Sequence, residues 1–157
     1  MSLFSIIIRV RLPSEPLPWK LLLLADPAEE LVHSYIQESQ VYLAESGNTV
    51  VGICVVQPQT HVRAEIRNLA VAPNCQGRGV GKALLKYAEE QAQQQGICTL
   101  RVCTGNSSLG PLALYQKSGF AMVDLQLHFF TQQYPEPIWE DGILCQHLLV
   151  LEKDLSA

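Results

Sequence analysis

The sequence predicts an α/β fold of the segregated, α+β kind: a mixed, mostly antiparallel sheet of about seven strands flanked by helices. Three observations predict it. Short runs rich in Val, Ile and Leu recur along the chain and are bounded by Gly, Pro and Asn. Three segments carry helix signals. The order is strand, helix, three-strand meander, helix, strand, helix, two strands, which needs helical crossovers in some places and permits hairpins in others.

Leu3–Leu12 reads as a strand, broken by Pro13, Pro16 and Pro18. Trp19–Leu24 follows as a short helical turn. Asp26-Pro27-Ala28-Glu29 has the form of a helix start, with Asp as N-cap, Pro first and Glu third, for a helix to about Gln37. Gln40–Glu45 and Val50–Val56 flank the turn Gly47-Asn48 as a hairpin. Val62–Val71 is the next strand. Its alternation puts Glu65, Arg67, Leu69 and Val71 on one face, with Ile66, Asn68 and Ala70 on the other. Gly79–Gln95 is an amphipathic helix with Val80, Leu84, Ala88 and Ala92 at intervals of four, ended by Gly96. Ile97–Cys103 is a strand. Asn106–Lys117 has helical spacing, but Pro111 delays its start, since proline is tolerated only in a first turn. Phe120–Phe130 and Ile143–Leu151 are strands around a proline-containing loop, Tyr134–Gly142. No repeat or linker intervenes, so residues 1–157 are expected to form a single domain.

A content of 48% hydrophobic and 17% charged residues suits a packed core and is too apolar for a disordered chain. The net charge of −4 argues against a nucleic-acid-binding surface, which needs clustered Lys and Arg. The apolar runs Phe4–Ile8 and Leu21–Ala25 are too short to span a membrane, and the N-terminus has no signal-peptide pattern, so the cytoplasm is the expected compartment. The five cysteines include no CxxC pair, and no Cys/His set has zinc-ligand spacing, so no metal is expected. Cys54, Cys98, Cys103 and Cys145 sit in apolar runs and are expected as buried thiols. Cys75 falls in a loop before a helix, where a thiol is more easily ionised.

The informative stretch is Leu69-Ala70-Val71-Ala72-Pro73-Asn74-Cys75-Gln76-Gly77-Arg78-Gly79-Val80-Gly81-Lys82. A strand ends, a turn follows, and a helix opens on glycines. A helix start offers unpaired N–H groups and a positive dipole end, and glycines let the backbone approach an anion. Arg78 and Lys82 add charge. A P-loop needs Gly where Gln76 stands and Ser or Thr where Ala83 stands. A dinucleotide fingerprint needs Gly or Ala in place of Lys82. Gln76–Lys82 is thus a pyrophosphate-type turn of another kind.

Gln76-Gly77-Arg78-Gly79-Val80-Gly81 resembles the Gln/Arg-x-x-Gly-x-Gly/Ala signature of the GNAT superfamily of N-acetyltransferases. The lead-in Leu69-Ala70-Val71-x-Pro and the downstream Asn106…Ala113-Leu114-Tyr115-Gln116-Lys117-Ser118-Gly119-Phe120 are similar to the same family. The resemblance implies acetyl-coenzyme A as donor and a sheet splayed between 62–71 and 97–103. Backbone groups of Leu69, Ala70 and Val71 would line the pantetheine arm, and the N–H of Val71 would polarise the thioester. Gln76, Gly77, Arg78, Gly79, Val80, Gly81 and Lys82 would hold the pyrophosphate. Asn106 would contact the pantetheine, and Lys117 the phosphates. Tyr115 would be the general acid for the leaving thiolate, and Glu65 the general base.

The tail from Phe129 to Gly142 resembles that of small bacterial members. There Tyr134, Trp139 and Glu140, with His128, would contact the acceptor, either a small-molecule amine or a protein amine. Exposed aromatics here would alternatively join two copies in a homodimer. A non-catalytic acyl-coenzyme A-binding or regulatory module on the same fold is the second reading.

Overall fold

The structure, a computed structural model, describes residues 4–156. Its elements are β1 (Ile7–Val10), α1 (Trp19–Ala25), α2 (Glu29–Ile36), β2 (Gln40–Ser46), β3 (Thr49–Pro58), β4 (Arg63–Val71), α3 (Val80–Gln94), β5 (Thr99–Gly105), α4 (Leu109–Lys117), β6 (Ala121–Gln126), α5 (Phe129–Gln133), β7 (Trp139–Glu140), β8 (Ile143–Leu144) and β9 (Leu148–Asp154). Seven strands form one sheet in the order β1-β2-β3-β4-β5-β9-β6. Every pairing in it is antiparallel except that of β4 with β5. The start of the expected first strand, at Leu3, lies outside the described residues.

One core lies between the sheet and α3, whose Val80, Leu84, Leu85, Ala88 and Ala92 are buried. Each leucine so buried contributes about 2 kcal/mol. Gly52 of β3 sets how closely the helix can approach. A Cβ there would lie 2.9 Å from Cδ1 of Leu84 and 3.0 Å from Cγ1 of Val80. On the other face, Leu21, Leu22, Val32, Tyr35 and Ile36 of α1 and α2 pack on Leu43, Ile53 and Val55.

The parallel pairing of β4 and β5 joins only Arg63–Ile66 to Thr99–Val102, and beyond it the strands part. A bulge in β4 coincides with this point: Val56 opposes Ile66 but Val55 opposes Asn68, leaving Arg67 as the extra residue. The expected sharing of one face by Glu65, Arg67, Leu69 and Val71 therefore fails, because the extra residue reverses the alternation. Ala64 and Ile66 belong to the core under α3, and so do Leu69 and Val71. Arg67 lies on the opposite side with its guanidinium 4.7 Å from the Tyr35 ring centre, and Asn68 donates to the Leu22 carbonyl at 3.0 Å.

Three further expectations change. Asp26 is not the cap of α2. It accepts the N–H of Ala28 at 3.2 Å in a tight turn, and Ala28 becomes the N-cap. The strand expected over Phe120–Phe130 ends at Gln126. Aromatics that suggest a strand instead form α5, where Phe130 stacks on Tyr134 four residues on, at 5.9 Å. The proline-containing loop holds a β7–β8 hairpin turned by Asp141 and Gly142 at φ 52° and 77°, so the last strand begins at Leu148, not Ile143. α4 starts at Leu109, which leaves Pro111 in its first turn. Cys75 is buried, whereas Cys98 and Cys103 are only partly so.

Core burial makes stability pH-dependent at the alkaline end. It pushes the Cys54 thiol from 9.0 up to about 12, and the Tyr42 phenol from 10.0 up to about 12. Both groups hold protons more tightly when folded, so their stabilisation is complete below pH 9 and is lost as pH rises from 9 towards 12. For Cys54 the loss by pH 11 is about 2–3 kcal/mol. Thermal melts from pH 8 to 11 check this. Cys54→Ala is expected to be less stable at pH 8 but to lose less on going to pH 11. An identical slope in both proteins contradicts it.

Candidate active site

The unpaired edge of β4 supplies the first functional groups. Ala72 donates its N–H to the Val51 carbonyl at 2.8 Å, so it points towards β3. Its neighbour Val71 therefore directs its N–H and C=O into the gap that β5 leaves. Nε2 of Gln76 donates to that carbonyl at 3.0 Å, and the Val71 N–H, at the lip of the gap, has no acceptor among the described residues.

The second group of donors is the start of α3. Gln76 donates to Pro73 and Ala83 donates to Gly79. Between them, the N–H groups of residues 77–82 have no main-chain acceptor among the described residues. Gly77 and Gly79 hold left-handed backbone, at φ 75° and 85°, and Gly79 caps the helix without a side chain. These donors line a cavity of about 610 Å³ whose far wall is α4. Lys82 and Lys117 also face it. The guanidinium of Arg78 lies instead over the Phe4 ring at 4.7 Å, outside the cavity wall, so the charge expected from it is directed elsewhere.

A narrower opening of about 290 Å³ passes between β4 and β5, lined by Leu69, Ala70, Val71, Gln76, Tyr115 and Glu140. Tyr115 lines both the opening and the first cavity. It is 6% exposed and packs edge-on against Phe120 at 6.0 Å. Burial, with no hydrogen bond to offset it, raises the phenol well above its ordinary range, so it is a proton donor at neutral pH.

Beyond the opening lies a second cavity of about 610 Å³, with Phe129, Phe130 and Tyr134 on one side and charged groups on the other. Glu65 faces it, but both its oxygens are engaged. Oε2 is 3.2 Å from Nε of Arg67, and Oε1 accepts the Cys103 thiol at 3.6 Å. Burial and the neighbouring Glu65 push that thiol up to about 12. Arg101 pairs with Glu152 at 2.8 Å. Asp26 and Glu140 line the same cavity without a salt bridge among the described residues. Burial raises the Asp26 carboxyl above its ordinary range.

The other expected site residues divide. Tyr134 and Glu140 face the second cavity. His128 caps α5 in left-handed backbone and donates its N–H to Nδ1 of His147 at 2.9 Å, outside the cavity wall. Trp139 is 63% exposed and also lies outside it. Asn106 lines neither cavity. Its Nδ2 donates to the Leu144 carbonyl at 3.1 Å, and its Oδ1 accepts the N–H groups of Gln146 at 2.8 Å and His147 at 2.9 Å. These three bonds clamp residues 144–147. Ser107 and Ser108, which sequence reasoning passed over, both donate to Oε1 of Glu140, at 2.8 and 3.1 Å. Asp141-Gly142, a two-residue hairpin signal, was the available clue to that geometry.

A sheet parted between parallel strands, with a turn of unpaired N–H groups on one side and a carboxylate-lined cavity on the other, suits a two-substrate group-transfer protein. The chain belongs to the GNAT family of acetyltransferases: residues 8–120 match the family described as Acetyltransferase (GNAT) family. It is 40% identical over 140 residues to the uncharacterized N-acetyltransferase YvbK of Bacillus subtilis, covering 87% of this chain and 88% of YvbK. A GNAT family acetyltransferase from Elizabethkingia anophelis, solved with acetyl-CoA bound, superposes with a TM-score of 0.91 at 42% identity, over 95% of this chain and 97% of that one. The IAA acetyltransferase from Bacillus cereus gives 0.90 at 41% identity, over 96% and 99%. Among the described residues, no helix is long and apolar enough to cross a membrane, and no cluster of His, Cys, Asp and Glu could hold a metal ion.

Proposed function

We propose that this protein is a cytoplasmic N-acetyltransferase that moves the acetyl group of acetyl-coenzyme A to a primary amine by direct attack. The observation that carries the reading is the opening between β4 and β5, which joins a cavity walled by unpaired N–H groups to a cavity walled by carboxylates. The first suits a pyrophosphate: residues 77–82 offer N–H donors at a helix start, and Lys82 and Lys117 add positive charge. A pantetheine arm laid along β4 would pair with Leu69 and Val71 as an added strand does. The thioester carbonyl would then accept the free N–H of Val71, which stabilises the oxyanion as it forms. Tyr115 would give its proton to the departing thiolate.

Direct attack is favoured over an acyl-enzyme by the state of Cys103. It is the thiol that lines the opening, and at about 12 it carries almost no thiolate at neutral pH. In the second cavity Glu65 and Glu152 already neutralise Arg67 and Arg101. Asp26 and Glu140 are left to attract a cation, and the aromatic side accommodates an apolar stem.

Thiol release from acetyl-coenzyme A is the test. Phenethylamine, tryptamine, cadaverine, spermidine, L-lysine and an alanine-initiated tripeptide serve as acceptors. Turnover of at least one amine above the hydrolysis rate is expected. Coenzyme binding without turnover across the panel supports the non-catalytic binding module instead.

A further inference from the structure

The geometry points to Glu140, on the β7–β8 hairpin, as the group that takes the proton from the acceptor's ammonium, in the role expected of Glu65. The assignment rests on the N-acetyltransferase reading. Glu140 lines the opening itself, in company with Val71 and Tyr115, and also the acceptor cavity; Glu65 lines only the cavity. An amine that attacks the thioester must pass through the opening, so a base has to reach that point. Glu65 has one oxygen against a guanidinium and the other against a thiol. Glu140 has Oε1 fixed by the hydroxyls of Ser107 and Ser108, while Oε2 has no hydrogen-bond partner among the described residues. Ser107 is fully buried, so the fixed oxygen is anchored to the interior and not to a mobile surface group.

The scaffold around Glu140 fits the role. The hairpin pairs Glu140 with Ile143, across the turn at Asp141 and Gly142. Asn106 holds the returning chain through three hydrogen bonds to residues 144–147. Three consecutive residues, Asn106, Ser107 and Ser108, thus fasten one carboxylate and the backbone that carries it. They act as positioning residues, two on the side chain and one on the hairpin.

The proton balance is as follows. The ammonium gives one proton to Oε2 of Glu140 and becomes a neutral amine. The nitrogen lone pair then bonds to the thioester carbon, and the carbonyl oxygen takes up negative charge against the Val71 N–H. The C–S bond breaks, the nitrogen loses its second proton to water, and the sulfur receives the proton of Tyr115. Water restores Tyr115 and removes the proton from Glu140. Overall, ammonium and thioester give amide, thiol and one free proton.

Several titratable or charged groups face Glu140 in the opening and cavity. Tyr115, Cys103 and Tyr134 are held protonated by burial, and Arg67 is paired with Glu65. Asp26, Glu65 and Arg101 complete the charged lining. None of these supplies a free basic atom fixed at the opening.

The test compares wild-type protein, Glu140→Gln and Glu140→Asp with the best amine of the panel between pH 7 and 9. At pH 7, Glu140→Gln is expected to lower kcat/KM by about 100-fold or more. The deficit should shrink about tenfold per pH unit as the medium supplies neutral amine. Affinity for acetyl-coenzyme A, read by calorimetry, should stay within about twofold, which shows the variant is folded. Glu140→Asp should keep a flatter pH profile than Glu140→Gln, at a lower rate than wild type. A Glu140→Gln protein with the wild-type rate, or with a deficit equal at every pH, overturns the assignment alone. Wild-type protein that turns over no amine overturns the transferase reading, and the assignment falls with it.

Discussion

Gly79→Asp should weaken binding of acetyl-coenzyme A, raising its Kd by at least about 100-fold, and should also destabilise the fold. Gly79 caps α3 at φ 85°, a conformation in which a side chain costs about 1–2 kcal/mol. A carboxylate there would also face the groove where residues 77–82 present their N–H groups. It would compete for those donors and repel a pyrophosphate. Gly79→Ala separates the effects, because a Cβ at this position meets no atom within 4 Å. The alanine variant should therefore lose stability of about 1 kcal/mol with a much smaller loss of affinity. Calorimetric titration of both variants decides the matter. Normal affinity in Gly79→Asp would remove the turn from the donor site.

Tyr115→Phe should lower kcat by about 100-fold or more while leaving the Kd for acetyl-coenzyme A within about twofold. The ring is buried among Phe120 and its neighbours, and phenylalanine keeps that packing. Only the hydroxyl is lost, at the junction of the opening and the donor cavity. Because burial keeps the phenol protonated, the wild type should show no loss of rate from Tyr115 ionisation up to pH 9. Single-turnover measurement separates the chemical step from release. Unchanged single-turnover rates in Tyr115→Phe would take the residue out of the mechanism.

Much of the glycine-rich turn was legible because its signals are local. The glycines of Gln76–Lys82 sit at alternate positions between a strand and a helix, and the structure gives that stretch the left-handed turns and unpaired donors such spacing requires. The position of Tyr115 follows from its motif, and the delayed start of α4 follows from Pro111. The carboxylate-lined cavity was less legible. Its aromatics in Phe129–Gln133 suit a strand as well as a helix, so local propensity did not choose between them.

By itself the sequence determined the number and order of the main strands, the position of α3 and the glycine-rich turn before it. Each rests on contacts between residues close in the chain. Tertiary structure decided which groups reach the reacting centre. The bulge at Arg67 depends on the register of β4 against β3, and it turns Glu65 and Leu69 to opposite faces. Glu140 meets Ser107 across 33 residues, and Asn106 meets Gln146 across 40. A one-residue slip in a strand reverses every side chain after it, and a long loop can bring any carboxylate to the opening. Neither is written in local spacing, so the carboxylate-lined cavity emerged only when the chain was folded.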